Sequence, residues 1–339
     1  MQIRSTFRGA MAVQLAAVIW AWTASVSAVA PSDVWTVTDA SGGTFSADGS
    51  SVLLRTNGGF QLRRAADGRV EKTISLPSAS LGYDAYAFSP NKEYVALTYR
   101  ASGVTRIELF SLASGALART INTGATRNAR GIALSSNGLV AILERWAYNG
   151  GGNIWVYRVA DGSFVVSKGR FVRSSNTVLT FSPDAKYLAI DDTAVVGEEG
   201  VRVLRTTDWA ATSLARSAYQ FSWAADSQSL WTARTSFETG QSLSEEIEVP
   251  SGELLTSTAI DTAQYQLGAL TPDNRFFLAA TAAGNEIVFL RTGDGGVALR
   301  LSASAGARPV KVSPTGTLFV YTVCSTSSCS ARMARMPAL

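Results

Sequence analysis

The chain contains no histidine, only two cysteines and few charged residues. Asp, Glu, Lys and Arg make up 17% of its 339 residues, against about 25% in an average soluble domain. Histidine is the commonest general base and the commonest zinc ligand, so its absence disfavours most enzyme classes and most zinc sites. The length allows two ordinary domains or one large β architecture.

The first segment has the pattern of an export signal. Arg4 and Arg8 precede an uncharged stretch over residues 9–32, whose most apolar part is residues 10–22. This part is shorter than the roughly 20 apolar residues of a membrane span. The small residues Val26 and Ala28 have the spacing that signal peptidase recognises, which predicts a signal peptide over 1–28 with cleavage after Ala28. Cleavage after residue 30 and an uncleaved, tilted anchor are the alternatives.

Cleavage leaves 311 residues, 29–339, and lowers the net charge from +4 to +2. So small a charge predicts neither nucleic-acid binding nor attraction to an anionic membrane. Cys324 and Cys329 are the only thiols, and in an exported protein they predict one local disulfide, with free thiols as the alternative. The sequence thus predicts a secreted or periplasmic protein with no stable membrane insertion after cleavage.

A unit of constant design recurs seven times along the chain. Each copy has an apolar residue, a small hydroxyl residue or alanine, a turn, and a second apolar run, as in TFSPDAKYLAI. Successive spacings are 43, 46, 47, 42, 47 and 42 residues. The aligned apolar residues are Phe45, Phe88, Leu134, Phe181, Trp223, Leu270 and Val312.

Each unit continues with a variable loop, an alternating segment such as RIELFSL, a turn such as Asp161-Gly162, and one more short strand. Period-two alternation is typical of half-buried strands, and Asp-Gly pairs reverse antiparallel strands. Four strands per unit of this length are typical of a propeller blade. We therefore predict one all-β domain over 29–339, a seven-bladed β-propeller of four-stranded antiparallel blades.

The two ends of the chain predict how the ring closes. The seventh copy has only three strand candidates, and an orphan strand, VWTVT over 34–38, precedes the first copy. Pairing residues 34–38 with 331–335 would complete the last blade and remove two exposed sheet edges. The alternative is a frayed N-terminus beside an incomplete blade.

These motifs resemble those of WD-repeat and related periplasmic propellers, in which FSPDGxxLA precedes a strand like VRLWDLxTG. The resemblance covers residues 34–336 and implies the propeller fold. The chain lacks the Gly-His dipeptide, and FSL, YRV and LRT stand where Trp-Asp ends the third strand. The hydrogen-bond tetrad of typical WD repeats therefore cannot form, and a divergent exported bacterial propeller fits better than an intracellular scaffold.

Two short matches to catalytic patterns are interpreted as turns. Ser46-Ala47-Asp48-Gly49 is similar to the Asp-box of sialidase-like propellers, but one intervening residue and the following Trp are missing. Ser89 and Lys92 match Ser-x-x-Lys, which requires a helix N-terminus rather than a turn between strands. No phosphate-binding loop, EF-hand loop or dinucleotide fingerprint occurs. We expect no catalytic residue, metal or cofactor.

Carboxylates cluster beside two predicted loops. Asp191, Asp192, Glu198 and Glu199 flank the loop of blade 4, and Glu245 and Glu246 end that of blade 5. Oxygen-rich loops can hold calcium, but neighbouring acids on a strand point to opposite faces. We interpret both groups as solvated loop residues.

The loops between the second and third strands are longest in the middle blades. From the aligned apolar residue to the turn glycine there are 23 residues in blade 1 and 25 in blade 6, but 27, 28 and 29 in blades 2, 3 and 5. Insertions on one face of a propeller usually mark its binding surface. Arginine and aromatic residues on this face suit recognition of a protein, a sugar or an anion. The alternative is that these are solvent-exposed loops without a binding role. The candidates in these loops are Arg100, Glu144, Arg145, Trp146, Tyr148, Arg234 and Phe237, and the inter-blade loops of the same face add Arg127, Arg130, Arg170, Phe171 and Arg173.

The sequence favours a monomeric, non-catalytic binding or scaffold propeller that recognises a protein or glycan through this face. One alternative is a carboxylate-dependent polysaccharide lyase or hydrolase acting at the channel. Another is a structural component of an envelope complex, and fold-level likeness alone does not decide among the three.

Overall fold

A computed structural model gives the fold of the chain. The residues it describes are 29–77, 85–126, 128–144, 152–171, 179–193, 199–215, 220–235, 242–261 and 264–339.

The described chain forms seven four-stranded antiparallel sheets, each of them one blade. The first strand, β1 (Asp33–Thr38), belongs to the last blade. Blade 1 consists of β2 (Ala40–Phe45), β3 (Ser51–Thr56), β4 (Gly59–Arg64) and β5 (Val70–Ser75). Blade 2 consists of β6 (Ala85–Phe88), β7 (Tyr94–Ala101), β8 (Val104–Ser111) and β9 (Leu117–Asn122). Blade 3 consists of β10 (Ala129–Leu134), β11 (Leu139–Glu144), β12 (Gly152–Arg158) and β13 (Phe164–Phe171).

The remaining blades repeat this order. Blade 4 consists of β14 (Leu179–Phe181), β15 (Tyr187–Thr193), β16 (Glu199–Arg205) and β17 (Ala211–Ala215), and blade 5 consists of β18 (Gln220–Trp223), β19 (Ser229–Thr235), β20 (Ser242–Glu248) and β21 (Leu254–Ile260). Blade 6 consists of β22 (Tyr265–Leu270), β23 (Phe276–Thr281), β24 (Glu286–Arg291) and β25 (Val297–Ser302). Blade 7 consists of β26 (Ala307–Val312), β27 (Leu318–Cys324), β28 (Cys329–Arg335) and β1.

The predicted seven-bladed architecture is confirmed. Each inner strand, the first of its blade, ends at the aligned apolar residue of its repeat, from Phe45 in blade 1 to Val312 in blade 7. The hydrophobic core consists of seven clusters, and each cluster lies between two neighbouring blades. The ring is therefore held together by sheet-on-sheet packing between blades, as well as by pairing within them.

The ring closes as the sequence predicts, through pairing of β1 with β28. Trp35 is paired with Met333, and Val37 is paired with Ala331. The indole N–H of Trp35 also donates to the Ala65 carbonyl at 2.9 Å, which ties the last blade to the first.

The predicted disulfide is present. Cys324 and Cys329 are directly paired at the ends of β27 and β28, and their Sγ atoms are bonded. The disulfide closes the hairpin between the second and third strands of blade 7.

The turn between the first and second strands is held by a side-chain hydroxyl in six of the seven blades. In blade 4, Ser182 Oγ donates to Asp184 at 2.7 Å and accepts from the Tyr187 N–H at 3.0 Å. These bonds confirm the turn interpretation of the Asp-box-like and Ser-x-x-Lys segments, which are the same turns in blades 1 and 2. The equivalent residue is a serine or threonine in six blades, and only blade 5 has an alanine, Ala224.

This exception provides a paired test of turn stability. We expect Ser182→Ala to lower the free energy of unfolding by about 1 kcal/mol, since the Tyr187 N–H loses its acceptor and the Asp184 carboxylate loses one of its donors. Ala224→Ser is expected to raise it by about 0.5 kcal/mol by supplying the missing bonds. Urea unfolding of both variants beside the parent measures the two changes. Changes of opposite sign are the essential outcome, because two destabilised variants would contradict the role of the hydroxyl.

Candidate functional site

The propeller has two faces that differ in their connections. We call the connection face the one that carries the loops between second and third strands and the segments that join successive blades. Hydrogen bonds place them together, since the Thr105 N–H donates to Ala125 O at 2.9 Å and the Ala307 N–H to Gly284 O at 2.8 Å. We call the opposite side, which carries the two remaining turns of each blade, the turn face.

The long loops all lie on the connection face. Seven residues separate β11 from β12, five separate β15 from β16, and six separate β19 from β20, whereas two separate β3 from β4. The loop residues themselves lie outside the described part of the chain. So do the predicted site residues Arg127, Arg145, Trp146, Tyr148, Arg173 and Phe237.

The hairpin of β7 and β8 carries one predicted site residue, Arg100. Both strands extend to the tip of the hairpin, where Ala101 pairs with Val104. The Arg100 side chain is exposed, and one of its Nη atoms donates to the Gly103 carbonyl at 3.4 Å. Arg100 is therefore on the connection face and accessible from solvent.

Six predicted site residues belong to strands rather than to loops, and two of them are Arg100 in β7 and Glu144 in β11. Arg130 is in β10, Arg170 and Phe171 end β13, and Arg234 is in β19. Pairing extends to these positions, because Phe171 lies opposite Gly152 and Arg234 opposite Leu243. The placement of these residues in loops was wrong, while their part in ligand binding remains a prediction.

Glu144 was predicted among the loop residues of this face, but it is a strand residue whose side chain is buried. It ends β11 and is 3% exposed. One carboxylate oxygen accepts from the Thr126 N–H at 2.8 Å, and the other accepts from the indole N–H of Trp155 at 3.0 Å. Glu144 thereby joins three parts of the face: the stem of the loop 145–151, the start of β12, and the segment from blade 2 to blade 3.

The segment from blade 2 to blade 3 is packed tightly against this stem. Gly124 lies under the Trp155 ring, where a Cβ would come within 2.5 Å of ring carbon Cζ3. The Gly124 N–H donates to the Tyr157 hydroxyl at 3.0 Å. Burial raises the pKa of Tyr157, opposed by that hydrogen bond and assisted by the charge of Glu144. Only glycine fits this position, so the segment is fixed on its scaffold.

The predicted acidic clusters are partly incorporated into strands. Glu245 and Glu246 are inside β20, opposite Thr232 and Trp231, so their placement at the end of a loop was wrong. Glu245 is fully buried, and Glu246 accepts from the Ser229 hydroxyl at 2.7 Å. In blade 4, Asp191, Asp192 and Glu199 are paired strand positions whose side chains, like all of Glu198, lie outside the described residues.

The inner strands line the central channel. All seven are described along their whole length, and their sequences contain no Asp or Glu. The carboxylate pair required by the lyase or hydrolase alternative is therefore not on these strands. Within the described ranges, no group of three or more Cys, Asp or Glu side chains could hold a metal ion.

The architecture is that of a seven-bladed β-propeller, as the sequence motifs indicate. The chain is similar to a solved structure, the β-propeller domain of Cps50 (Swd1) from Myceliophteria thermophila, with a TM-score of 0.63 and 11% identity. The match covers 88% of this chain and 99% of that domain. At this identity, the likeness shows the fold alone.

No protein-family model and no curated protein matches the sequence. No helix in the described part of the chain has the length and apolar character needed to cross a membrane. The propeller fold fits a binding or scaffold role in general, and a particular ligand has to be argued from the residues.

Proposed function

We propose that the chain is an exported, non-catalytic propeller, monomeric after cleavage of residues 1–28, that binds a protein or glycan through its connection face. The observation that carries this proposal is the restriction of the long loops to one face, with Arg145, Trp146 and Tyr148 in one loop. Tryptophan, tyrosine and arginine carry much of the binding energy at protein interfaces, and they also suit sugar stacking.

The stems of these loops support the proposal. The Glu144 network and the close packing of Gly124 on Trp155 fix both ends of the surface from which the loop 145–151 emerges. Contacts presented from a rigid scaffold lose less entropy on binding than contacts on a mobile one.

The binding role is tested by affinity capture with residues 29–339 from the exported fraction of the source organism, followed by identification of both proteins and glycans. We expect Arg145→Ala combined with Trp146→Ala to abolish capture and leave the fold intact, because the main contacts are removed. Arg69→Ala combined with Leu255→Ala is the matched control. These two residues are an exposed arginine and a 48% exposed leucine outside the long loops. Undiminished capture by the loop variant would refute the site.

Export is tested separately by sequencing the N-terminus of the protein recovered outside the cytoplasm. The proposal requires Val29 as the first residue. Recovery of the uncleaved chain in the membrane fraction would favour the anchor, whereas a start at Pro31 would favour the later cleavage site.

A further inference from the structure

The seven inner strands carry basic residues and no acidic ones. The basic residues on the seven inner strands are Arg130 on β10 and Arg308 and Lys311 on β26, and no Asp or Glu accompanies them on these strands. Two of the three belong to blade 7, so positive charge is concentrated on one sector of the wall.

Lys311 is an exception to the pattern of the repeat. It immediately precedes the aligned apolar residue of blade 7, Val312. The residues at this position in the other six blades are all small: Thr44, Ala87, Ala133, Thr180, Ser222 and Ala269. A long cationic side chain therefore replaces a small one at one place on the channel wall.

Arg308 and Lys311 lie on the same face of the sheet of blade 7. Arg308 pairs with Thr322 and Lys311 with Val320, with a bulge between them at residue 310. Since paired residues project together and Val320 and Thr322 are two apart on β27, all four side chains share one face. Arg308 and Lys311 are thus about 7 Å apart along the strand.

This face of the sheet is turned towards blade 1 and is open near the channel. Val320 is fully buried in the cluster between blades 7 and 1. Gly43 on β2 packs its backbone against Val320, where a Cβ would come within 2.6 Å of a Val320 methyl. Both Arg308 and Lys311 are nonetheless exposed to solvent. Both residues are on β26, the innermost strand of its blade, which borders the channel.

The charges of this pair are not neutralised within the described chain. Neither Arg308 nor Lys311 has a hydrogen bond or ion pair with another described residue. Desolvation by the surrounding protein lowers the pKa of Lys311, as expected for an ammonium enclosed by a channel. On the same face, the Thr322 hydroxyl is buried, 6% exposed, and has no hydrogen-bond partner among the described residues.

We propose that Arg308, Lys311 and Thr322 form a site on the channel wall for a multivalent oxyanion, a ligand with two or more carboxylate or phosphate groups. The guanidinium takes one anionic group through paired N–H donors, the ammonium takes a second, and the hydroxyl donates to the first. The site is separate from the long loops and does not depend on the binding function proposed for them.

The site is tested by titration calorimetry of residues 29–339 with citrate and, separately, with inorganic pyrophosphate. We expect at least one probe to bind with a stoichiometry of one, and the stronger probe identifies the ligand as a carboxylate or a phosphate. Arg308→Gln and Lys311→Gln should each weaken binding at least about tenfold, since each removes a charge-assisted hydrogen bond. Thr322→Val should weaken binding by a smaller factor.

The matched control is Arg69→Gln combined with Lys168→Gln, which removes the same charge from the outer part of blades 1 and 3. This variant should bind the probe like the parent. The proposal is overturned if neither probe binds the parent, or if the control weakens binding as much as Arg308→Gln combined with Lys311→Gln. Because the probes are small molecules, this result is independent of partner capture through the loops.

Discussion

A chain from which residues 29–38 are deleted is expected to lose about 4 kcal/mol or more of its free energy of unfolding. The deletion removes β1, exposes the fully buried Ala331 and Met333, and leaves β28 as an open edge. It also breaks the hydrogen bond from Tyr321 to Asp33 at 2.8 Å. Urea unfolding followed by tryptophan fluorescence and far-UV circular dichroism measures the loss.

A shorter deletion, of residues 29–31, is the control for this prediction. It removes the backbone hydrogen bonds of Val29 with Arg300 and Ser302, at 3.0 and 2.8 Å, but keeps β1. The expected cost is about 1 kcal/mol. A synthetic peptide of residues 29–39 should restore part of the stability of the longer deletion by strand addition. If the two deletions unfold at the same urea concentration, closure by β1 contributes nothing to stability.

The second large effect is expected for Glu144→Ala, which should cost about 2 to 3 kcal/mol. The substitution leaves two partly buried donors, the Thr126 N–H and the Trp155 indole N–H, without their acceptor. We expect hydrogen exchange to accelerate over residues 123–126 and 152–155, while the outer strands of distant blades keep their protection.

Glu253→Ala is the control, since Glu253 is exposed and its carboxylate has no hydrogen bond in the described structure. Its effect should stay below about 0.5 kcal/mol. The pair also separates two roles for Glu144. A variant that keeps full stability but no longer captures the partner would show that Glu144 contacts the ligand, as the sequence suggests. A loss of stability shows that it holds the loop stem.

The blade architecture could be predicted because local chemistry marks the ends of each strand. The hydroxyl residue and the turn that follow the aligned apolar residue are fixed by hydrogen bonds within a few residues, as for Ser182 and Asp184. These bonds need no knowledge of the rest of the fold. Closure of the ring was also predictable. The sequence has one orphan strand and one repeat that lacks its fourth strand, and pairing the two completes the last blade.

The limits of the strands near the long loops could not be predicted from alternation. Each blade is packed between two others, so both faces of a middle strand are buried, as the neighbours Ser244 and Glu245 show. Polar residues in such strands interrupt the apolar pattern of the sequence, so they are predicted as loop residues. Arg234 was misplaced for the same reason.

One member of the basic pair, Lys311, is distinguishable in the sequence. Comparison of the seven repeats at the position before the aligned residue distinguishes Lys311 from six small residues. The contribution of Arg308 could not be found in this way, because the bulge at residue 310 places it on the same face as Lys311.

The construction of blade 7 from both ends of the chain has a consequence for the order of folding. Blades 1 to 6 are each contiguous in sequence, so each can form as soon as its own segment is available. Asp33 and Tyr321, in contrast, are separated by 288 residues, and a contact at that separation has a high entropic cost until the intervening chain is compact. Within the propeller, β1 is synthesised before the other strands and is the last to find its partner, and until then the folding propeller has two open edges available for association with other copies.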